Sequence, residues 1–482
     1  MRYSTVLYLL GVLLTLFSLS MLVPALIAYF ENEGYLQAFG LSFLLHFSVG
    51  VFLWLSFRSS LQREMGLNEG FMITVLFWVV LGVFAAFPFV VSPLGMPVTN
   101  ALFESISGLT TTGATVITNL DDLPKSILFY RQQLQWFGGM GIIVLAVAVL
   151  PMLGVGGMQL YRAETPGPVK DNKLRPRITE TAKLLWGVYL VMTVLCALSY
   201  WLAGMNFFEA VSHSFSTVAL GGFSLYNQSI GKFNSPLIES VAIVFMLLSV
   251  LNFSLYFIVW QKKDLRVFWR DPECRFFTIM LLIFILTVVS SLILINEYTY
   301  LEAIRKGLFE TVSIVTTAGF GIDNFAAWHG PLPIILILGA CMGGCVGSTG
   351  GGIKAIRVLL LLKQGYRELK RLAHPSGFFA VRLNKRVVPD KVLDSVSGFV
   401  IIYIVLLVSL SIIVMFLGLD PKSAISAVIS TLNNLGPGLG DVAHGFSSVS
   451  DEAKWLFCIA MLFGRLEIFT LLVLFTPAFW RR

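Results

Sequence analysis

Three stretches of this chain, Val6–Phe30, Phe71–Ser92 and Phe276–Ile295, carry no charged residue. Each exceeds the roughly eighteen residues that a helix needs to cross the ~30 Å hydrocarbon layer of a bilayer. Only helices and closed barrels satisfy every backbone polar group in lipid, and these runs show none of the alternation of a barrel strand. Apolar residues make up 56% of the 482 and charges 13%, so most of the chain shares this character. The reading is an all-α polytopic membrane protein. The first run lacks a small-residue cleavage site and reads as a retained span.

The net charge of +7 raises nucleic acid as a partner, and its placement argues against it. Lys and Arg gather in a few loops between apolar runs: Arg58 and Arg63; Arg162 to Lys183; Lys262 to Arg275; Lys363 to Lys391; and Arg481 with Arg482. The alternate loops hold acids such as Glu31, Glu33, Asp121, Asp122, Asp441 and Asp451. By the positive-inside rule the basic loops and both termini are cytoplasmic. Membrane lipid is the expected surrounding, and no nucleic acid is expected. The five cysteines make no metal-like cluster with histidine; Cys341 and Cys345 read as small packing residues.

The basic loops divide the chain into an N-terminal two-span block, 1–57, and four further blocks, 58–165, 166–270, 271–385 and 386–482. Each of these four reads as a long span, a short amphiphilic segment, a polar glycine stretch and a second long span. That gives about ten transmembrane helices and four short re-entrant ones. Aligned by hand, the short segments contain Ser107–Gly113, Ser216–Gly222, Ser313–Gly319 and Ser430–Gly436, each with serine six residues before glycine. Three follow a Phe-Glu pair, at Glu104, Glu209 and Glu310. These glutamates read as favourable partners of a short helix's N-terminal dipole.

A segment too short to span must re-enter, and irregular backbone at membrane depth survives only where it is buried or lines a water-filled path. Four such loops around one axis present rings of carbonyl oxygens to a dehydrated ion. The expected carbonyl donors are Thr111, Thr112 and Gly113; Leu220, Gly221 and Gly222; Thr317, Ala318 and Gly319; and Asn434, Leu435 and Gly436. Glycines packed between helices would explain one such segment. They do not explain four in register.

With "LTTTGAT", "STVALGGFS", "VTTAGFG" and "LNNLGPGLG", followed by "GGCVGSTGGGIKAIR" and "FGRLEIFT", the chain resembles the Trk/Ktr/HKT superfamily of potassium transporters, and within it the bacterial TrkH type. The resemblance runs the full length, including the extra two-span block. It implies four pseudo-symmetric span–pore-loop–span repeats around a central pore, potassium as the ion carried, and pairing of two subunits into a homodimer. It also implies a cytosolic nucleotide-binding ring of the TrkA type and a bacterial cytoplasmic (inner) membrane. In this superfamily glycine at each filter position goes with potassium preference, and Gly113, Gly222, Gly319 and Gly436 keep it. The loops differ from TVGYG and from one another, which implies fewer well-formed ion sites than in a symmetric channel.

Two further features lie inside the membrane. The second span of the third repeat is broken by six glycines in ten residues: Gly343, Gly344, Gly347, Gly350, Gly351 and Gly352. Each costs about 1 kcal/mol against alanine in a helix, so no ordinary helix runs through. The break falls near mid-membrane on the ion path and reads as a gate, as the resemblance also implies. "GSTGGGIK" looks like a phosphate loop, but its lysine is one residue late and it lies within the bilayer. Arg465 sits in the last span, where a charge costs at least roughly 2.5–3.5 kcal/mol. It reads as facing the cavity below the filter, with a structural ion pair as the alternative. Lys354 and Arg357 are candidates for lining the same inner half.

The sequence offers no enzyme site and no inner loop long enough for a catalytic domain. A gated channel and a secondary symporter coupled to protons or sodium both remain. Coupling calls for a titratable midplane group and inverted repeats, whereas these repeats are parallel and the midplane charge is an arginine.

Overall fold

The computed structural model describes residues 3–58, 67–141, 178–295, 298–384 and 386–480. The basic residues Arg63, Arg162, Lys170, Lys173, Arg175, Arg177, Lys385, Arg481 and Arg482 lie outside them. The chain is helical almost throughout; one two-stranded hairpin, β1 (Arg382–Leu383) with β2 (Arg386–Val387), decorates a loop.

The N-terminal block is α1 (Tyr3–Ser18), continued through one 3₁₀ turn into α2 (Leu22–Phe30), and α3 (Leu36–Ser56). Repeat 1 follows as α4 (Leu67–Val91), α5 (Val98–Leu109) and α6 (Lys125–Gly139). Repeat 2 is α7 (Ile178–Leu202), α8 (Phe207–Ala219) and α9 (Pro236–Ser249), then α10 (Phe253–Lys262) and α11 (Arg266–Arg270). Repeat 3 is α12 (Pro272–Ile295), α13 (Tyr300–Val315), α14 (Leu332–Met342) and α15 (Ala355–Ala373). Repeat 4 is α16 (Asp390–Phe416), α17 (Pro421–Leu432) and α18 (Asp451–Arg465), then α19 (Phe469–Leu472) and α20 (Pro477–Trp480).

The short re-entrant helices α5, α8, α13 and α17 start where their sequences say they should. Asn206 and Thr299 close capping boxes with Glu209 and Glu302, and Asp420 caps α17 ahead of Pro421. These contacts satisfy N–H groups that a helix start leaves free. Each short helix packs against the first span of its own repeat, α5 on α4, α8 on α7, α13 on α12 and α17 on α16. Each also packs against the second helix of the preceding repeat: α6 on α8, α9 on α13, α14 on α17, and α18 back on α5. The last contact closes the circle, so the four repeats surround one axis in chain order.

The outer wall is apolar and unpaired. Val191, Val194 and Leu195 on α7, and Leu282, Ile283 and Leu286 on α12, are all exposed. In lipid such faces are the protein's boundary, whereas in water they would aggregate.

The second helices depart from expectation. Each was expected to span, with only the third broken. Instead α6, α9, α14 and α18 have 15, 14, 11 and 15 residues. After α9 the chain bends by 88°, and after α18 by 106°. Six described helices are long and apolar enough to cross alone, and the two bent pairs raise that to eight. In repeat 3, α14 is a shorter apolar helix, and the second span expected in repeat 1 continues into residues 142–165, outside the described residues. Hydropathy runs straight through Leu248–Phe253 and Leu466–Phe469, so it does not mark these turns.

Candidate functional site: the loop ring and the strip beneath it

Each re-entrant helix ends in the same turn. In repeat 1 the Thr111 N–H donates to Gly108 O (3.0 Å) and the Thr112 N–H to Ser107 O (2.9 Å). This is the paired 5→2 and 6→1 bonding of a Schellman cap. It recurs at Leu220/Gly221, Thr317/Ala318 and Asn434/Leu435, always with the 6→1 bond to the repeated serine, Ser216, Ser313 or Ser430. Such a cap requires a left-handed residue, supplied here by Thr111 (φ 56°), Leu220 (53°), Thr317 (61°) and Asn434 (52°). For threonine that conformation is strained and persists only where the surroundings enforce it. Two residues on come Gly113 (77°), Gly222 (76°), Gly319 (79°) and Gly436 (100°), again left-handed.

Around the axis the four loops interlock. A Cβ on Gly113 would run into the Gly221 carbonyl oxygen, on Gly222 into that of Ala318, on Gly319 into that of Leu435, and on Gly436 into that of Thr112. Each glycine is therefore needed twice, for its backbone angle and for the close approach of the next loop. All twelve expected carbonyl donors lie in this ring. Side chains brace it. The Asn434 amide donates to Thr112 Oγ1 (2.9 Å), joining loop 4 to loop 1. Gln135 on α6 takes the Phe223 N–H (3.1 Å) and donates to Gly221 O (2.6 Å), so that carbonyl is partly engaged by protein.

The glutamates behind the ring do not sit where the dipole argument put them. Only Glu209 lies in a first turn. Glu104 and Glu310 lie in the second halves of α5 and α13, buried, and brace the chain that leaves each loop. Glu104 accepts from Thr115 Oγ1 (3.0 Å) and Val116 N (3.1 Å). Glu310 accepts from Ile322 N (2.7 Å) and Asp323 N (2.9 Å). Three residues before the repeated serine, repeat 2 has His213, whose Nε2 meets Ser224 Oγ at 3.1 Å, and repeat 4 has Ala427. On the outer side a cavity of about 460 Å³ borders Gly319, Pro437, Glu310, Asp323 and His444. Burial works against ionisation of Asp323. Hydrogen bonds from Trp328 and Tyr298, with Lys306 nearby, outweigh it and hold the carboxyl below its usual range.

Beneath the ring runs the glycine strip 343–354. It is bonded directly to repeats 2, 3 and 4, and to repeat 1 through Arg465. Thr349 Oγ1 donates to Val218 O (3.0 Å) at the end of α8. The Gly351 N–H donates to Thr317 Oγ1 (2.8 Å), and a side chain at Gly351 would strike the Asn433 carbonyl. Arg465 bridges to repeat 1, donating to Thr111 Oγ1 (3.3 Å), Thr349 O (3.2 Å), Gly139 O (2.9 Å) and Gly138 O. The strip is anchored from below by Glu273 at the start of α12, which accepts from Val346 N (2.8 Å) and Ile356 N (3.1 Å). A cavity of about 120 Å³ remains, lined by Gly139, Gly350, Gly351, Lys354, Asn434 and Arg465 among others.

A family model for TrkH, a cation transport protein, matches residues 35–482. The chain belongs to the TrkH cation-transport family. It is 50% identical to the Trk system potassium uptake protein TrkH of Escherichia coli and to that of Halomonas elongata, in each case over the full length of both chains. Against the potassium uptake protein TrkG of Escherichia coli it is 41% identical over 98% of this chain and 97% of the relative. The crystal structure of the potassium transporter TrkH from Vibrio parahaemolyticus has a TM-score of 0.91 to it, at 47% identity and full coverage of both chains.

Of the candidate gate residues, the six glycines and Lys354 lie in the strip, and Arg465 bonds it through the Thr349 carbonyl. Arg465 is the last residue of α18, directly before the 106° bend that interrupts the last span. Its hydrogen bonds reach carbonyls and a hydroxyl of other repeats, and its guanidinium carbon lies 5.6 Å from the centre of the Trp78 ring. The nearby Glu467 pairs instead with Arg357, which also lies over the Phe399 ring. Lys354 bonds the Gly350 carbonyl and lines the lower cavity, while Arg357 donates to the Ile353 carbonyl at the end of the strip (3.1 Å). Sequence reasoning missed Arg131 and Gln135. The signal was present: Arg131, Gln132, Gln133 and Gln135 make α6 unusually polar for a membrane helix.

Proposed function

We propose that this chain carries potassium inward across a bacterial inner membrane through a gated, channel-like pore. The four loops act as the selectivity filter, offering carbonyls of residues 111–113, 220–222, 317–319 and 434–436 to the ion. The observation that carries this reading is the closed ring of four identical helix ends. The C-terminal ends of α5, α8, α13 and α17 converge on it, each contributing partial negative charge that favours a cation. The strip with Gly343, Gly344, Gly347, Gly350, Gly351, Gly352 and Lys354, together with Arg465, acts as the gate below. Its bonds to repeats 2, 3 and 4, and the Arg465 bridge from it to repeat 1, support an obstruction that must move before an ion leaves. The names of the relatives support potassium as the substrate. A homodimer, with a cytosolic TrkA-type nucleotide-binding ring docked on the basic inner loops, completes the reading.

The second reading is symport with protons or sodium. Parallel repeats and an arginine at the gate favour the channel. Reversal potentials under imposed potassium and proton gradients separate the two: a channel follows the potassium gradient alone.

The filter assignment is tested by Gly113→Ser. A side chain there meets the Gly221 carbonyl and distorts the first junction of the ring. The potassium-over-sodium flux ratio in reconstituted vesicles should fall. An unchanged ratio in a folded, active variant overturns the assignment.

A further inference from the structure

The four loops are not held in the same way. In loops 3 and 4 the repeated serine braces its own loop: Ser313 Oγ donates to Phe320 O (2.6 Å) and Ser430 Oγ to Gly436 O (2.8 Å). The equivalent hydroxyls of Ser107 and Ser216, both buried, find no partner among the described residues. Another device stands at that junction. Arg131, on α6, has a side chain 1% exposed and meets the wholly buried Glu104 at 2.7 Å. Its second nitrogen donates to Thr115 Oγ1 (3.1 Å), two residues beyond Gly113. Its third donates to Ser224 O (3.3 Å), two residues beyond Gly222. The guanidinium plane lies 4.0 Å from the centre of the Phe223 ring.

We infer that Arg131, acting through Glu104, Thr115 and Ser224, is the positioning residue that fixes the spacing of the first and second filter loops and thereby sets the preference among monovalent cations. The inference rests on the filter reading above. One planar fork bonds the outgoing strands of both loops, which no other described ion pair does. Loop 3 has a carboxylate in the same register, Glu310, but it binds only main-chain N–H groups of its own strand. Loop 4 has Ala427 there. The clamp is thus confined to the junction where Gly113 meets the Gly221 carbonyl. Lysine keeps the charge but is a single point donor and cannot reproduce the fork. A small shift in that carbonyl changes how closely the ring fits an ion, without closing the path.

The test uses the full chain purified and reconstituted, with reversal potentials measured under bi-ionic potassium/sodium and potassium/caesium conditions. That readout is independent of how many molecules are active, so a merely structural role does not move it. The wild-type chain is measured first. No potassium preference there overturns the filter reading itself, separately from this inference. Given that preference, Arg131→Lys is expected to lower the potassium-over-sodium ratio several-fold. Thr115→Val, which removes only the shared hydroxyl, is expected to lower it less and in the same direction, and it decides the matter if the lysine variant does not fold. Ratios equal to wild type in every variant that folds overturn the inference.

Discussion

The ring of loops and the strip below it share a composition of glycine, threonine and serine, yet they are built on different principles. In the ring each loop closes on the next, helix caps repeat four times, and a buried ion pair and an asparagine tie neighbours together. The strip is a single copy. It is bonded directly to repeats 2, 3 and 4 and to repeat 1 only through Arg465, and its glycines leave little side chain to bury. Repetition with interlocking over-determines the strained left-handed threonines of the ring. The strip has no such repetition, so no second copy backs up its contacts, and under the gating proposal it is the element expected to move. The lesson is that glycine content alone does not say how a segment is held; what matters is which neighbours fix each residue.

Three perturbations sharpen that contrast. The largest effect is expected from Glu104→Ala. It leaves Arg131 buried without its carboxylate, a change that typically costs about 3–5 kcal/mol. The melting temperature and yield of purified protein should drop sharply, and far more than for Glu310→Ala, where only main-chain donors lose a partner. Equal losses would mean that the ion pair does not hold the ring together.

Removal of Gly350–Gly352 comes next. If the strip is a displaceable obstruction, potassium flux without the cytosolic partner should rise well above wild type, while the potassium-over-sodium ratio stays the same. A variant that folds and remains closed, or one that loses its ion preference, would show that strip and ring are one unit.

The smallest of the three is Arg465→Ala. A guanidinium roughly 6–8 Å from a permeating cation, at an effective dielectric of about 20, raises the barrier by about 2–3 kcal/mol. Rubidium uptake by the alanine variant should therefore increase by tens-fold or more, and Arg465→Lys should retain most of the barrier. Because Arg465 also bonds the Gly138, Gly139 and Thr349 carbonyls, thermal melting is measured on the same sample. A loss of stability together with loss of uptake would make it a strut of the strip instead of an electrostatic barrier.

Much of this molecule follows from local sequence. Apolar runs of spanning length dictate membrane helices, because a bilayer offers no partner for a free backbone group. The fourfold Ser-to-Gly spacing marks the four re-entrant ends, because a helix cap has a fixed length in residues. The glycine strip announces itself by helix-breaking composition. These features also carry the resemblance to the family to which the chain belongs.

Other features were decided only by tertiary structure. Average hydropathy in α9 and α18 does not say that the helix stops halfway, although Asn252, Arg465 and Glu467 interrupt the apolar run at the bends; the turns themselves depend on packing around the axis. Glu104 lies 27 residues from Arg131, and Arg131 lies 93 from Ser224. Arg465 finds its carbonyl partners more than a hundred residues away. Sequence shows that such charges must be accommodated inside the membrane, because leaving them bare is costly. Which groups accommodate them depends on the order in which four repeats close around one axis, and that order exists only in three dimensions.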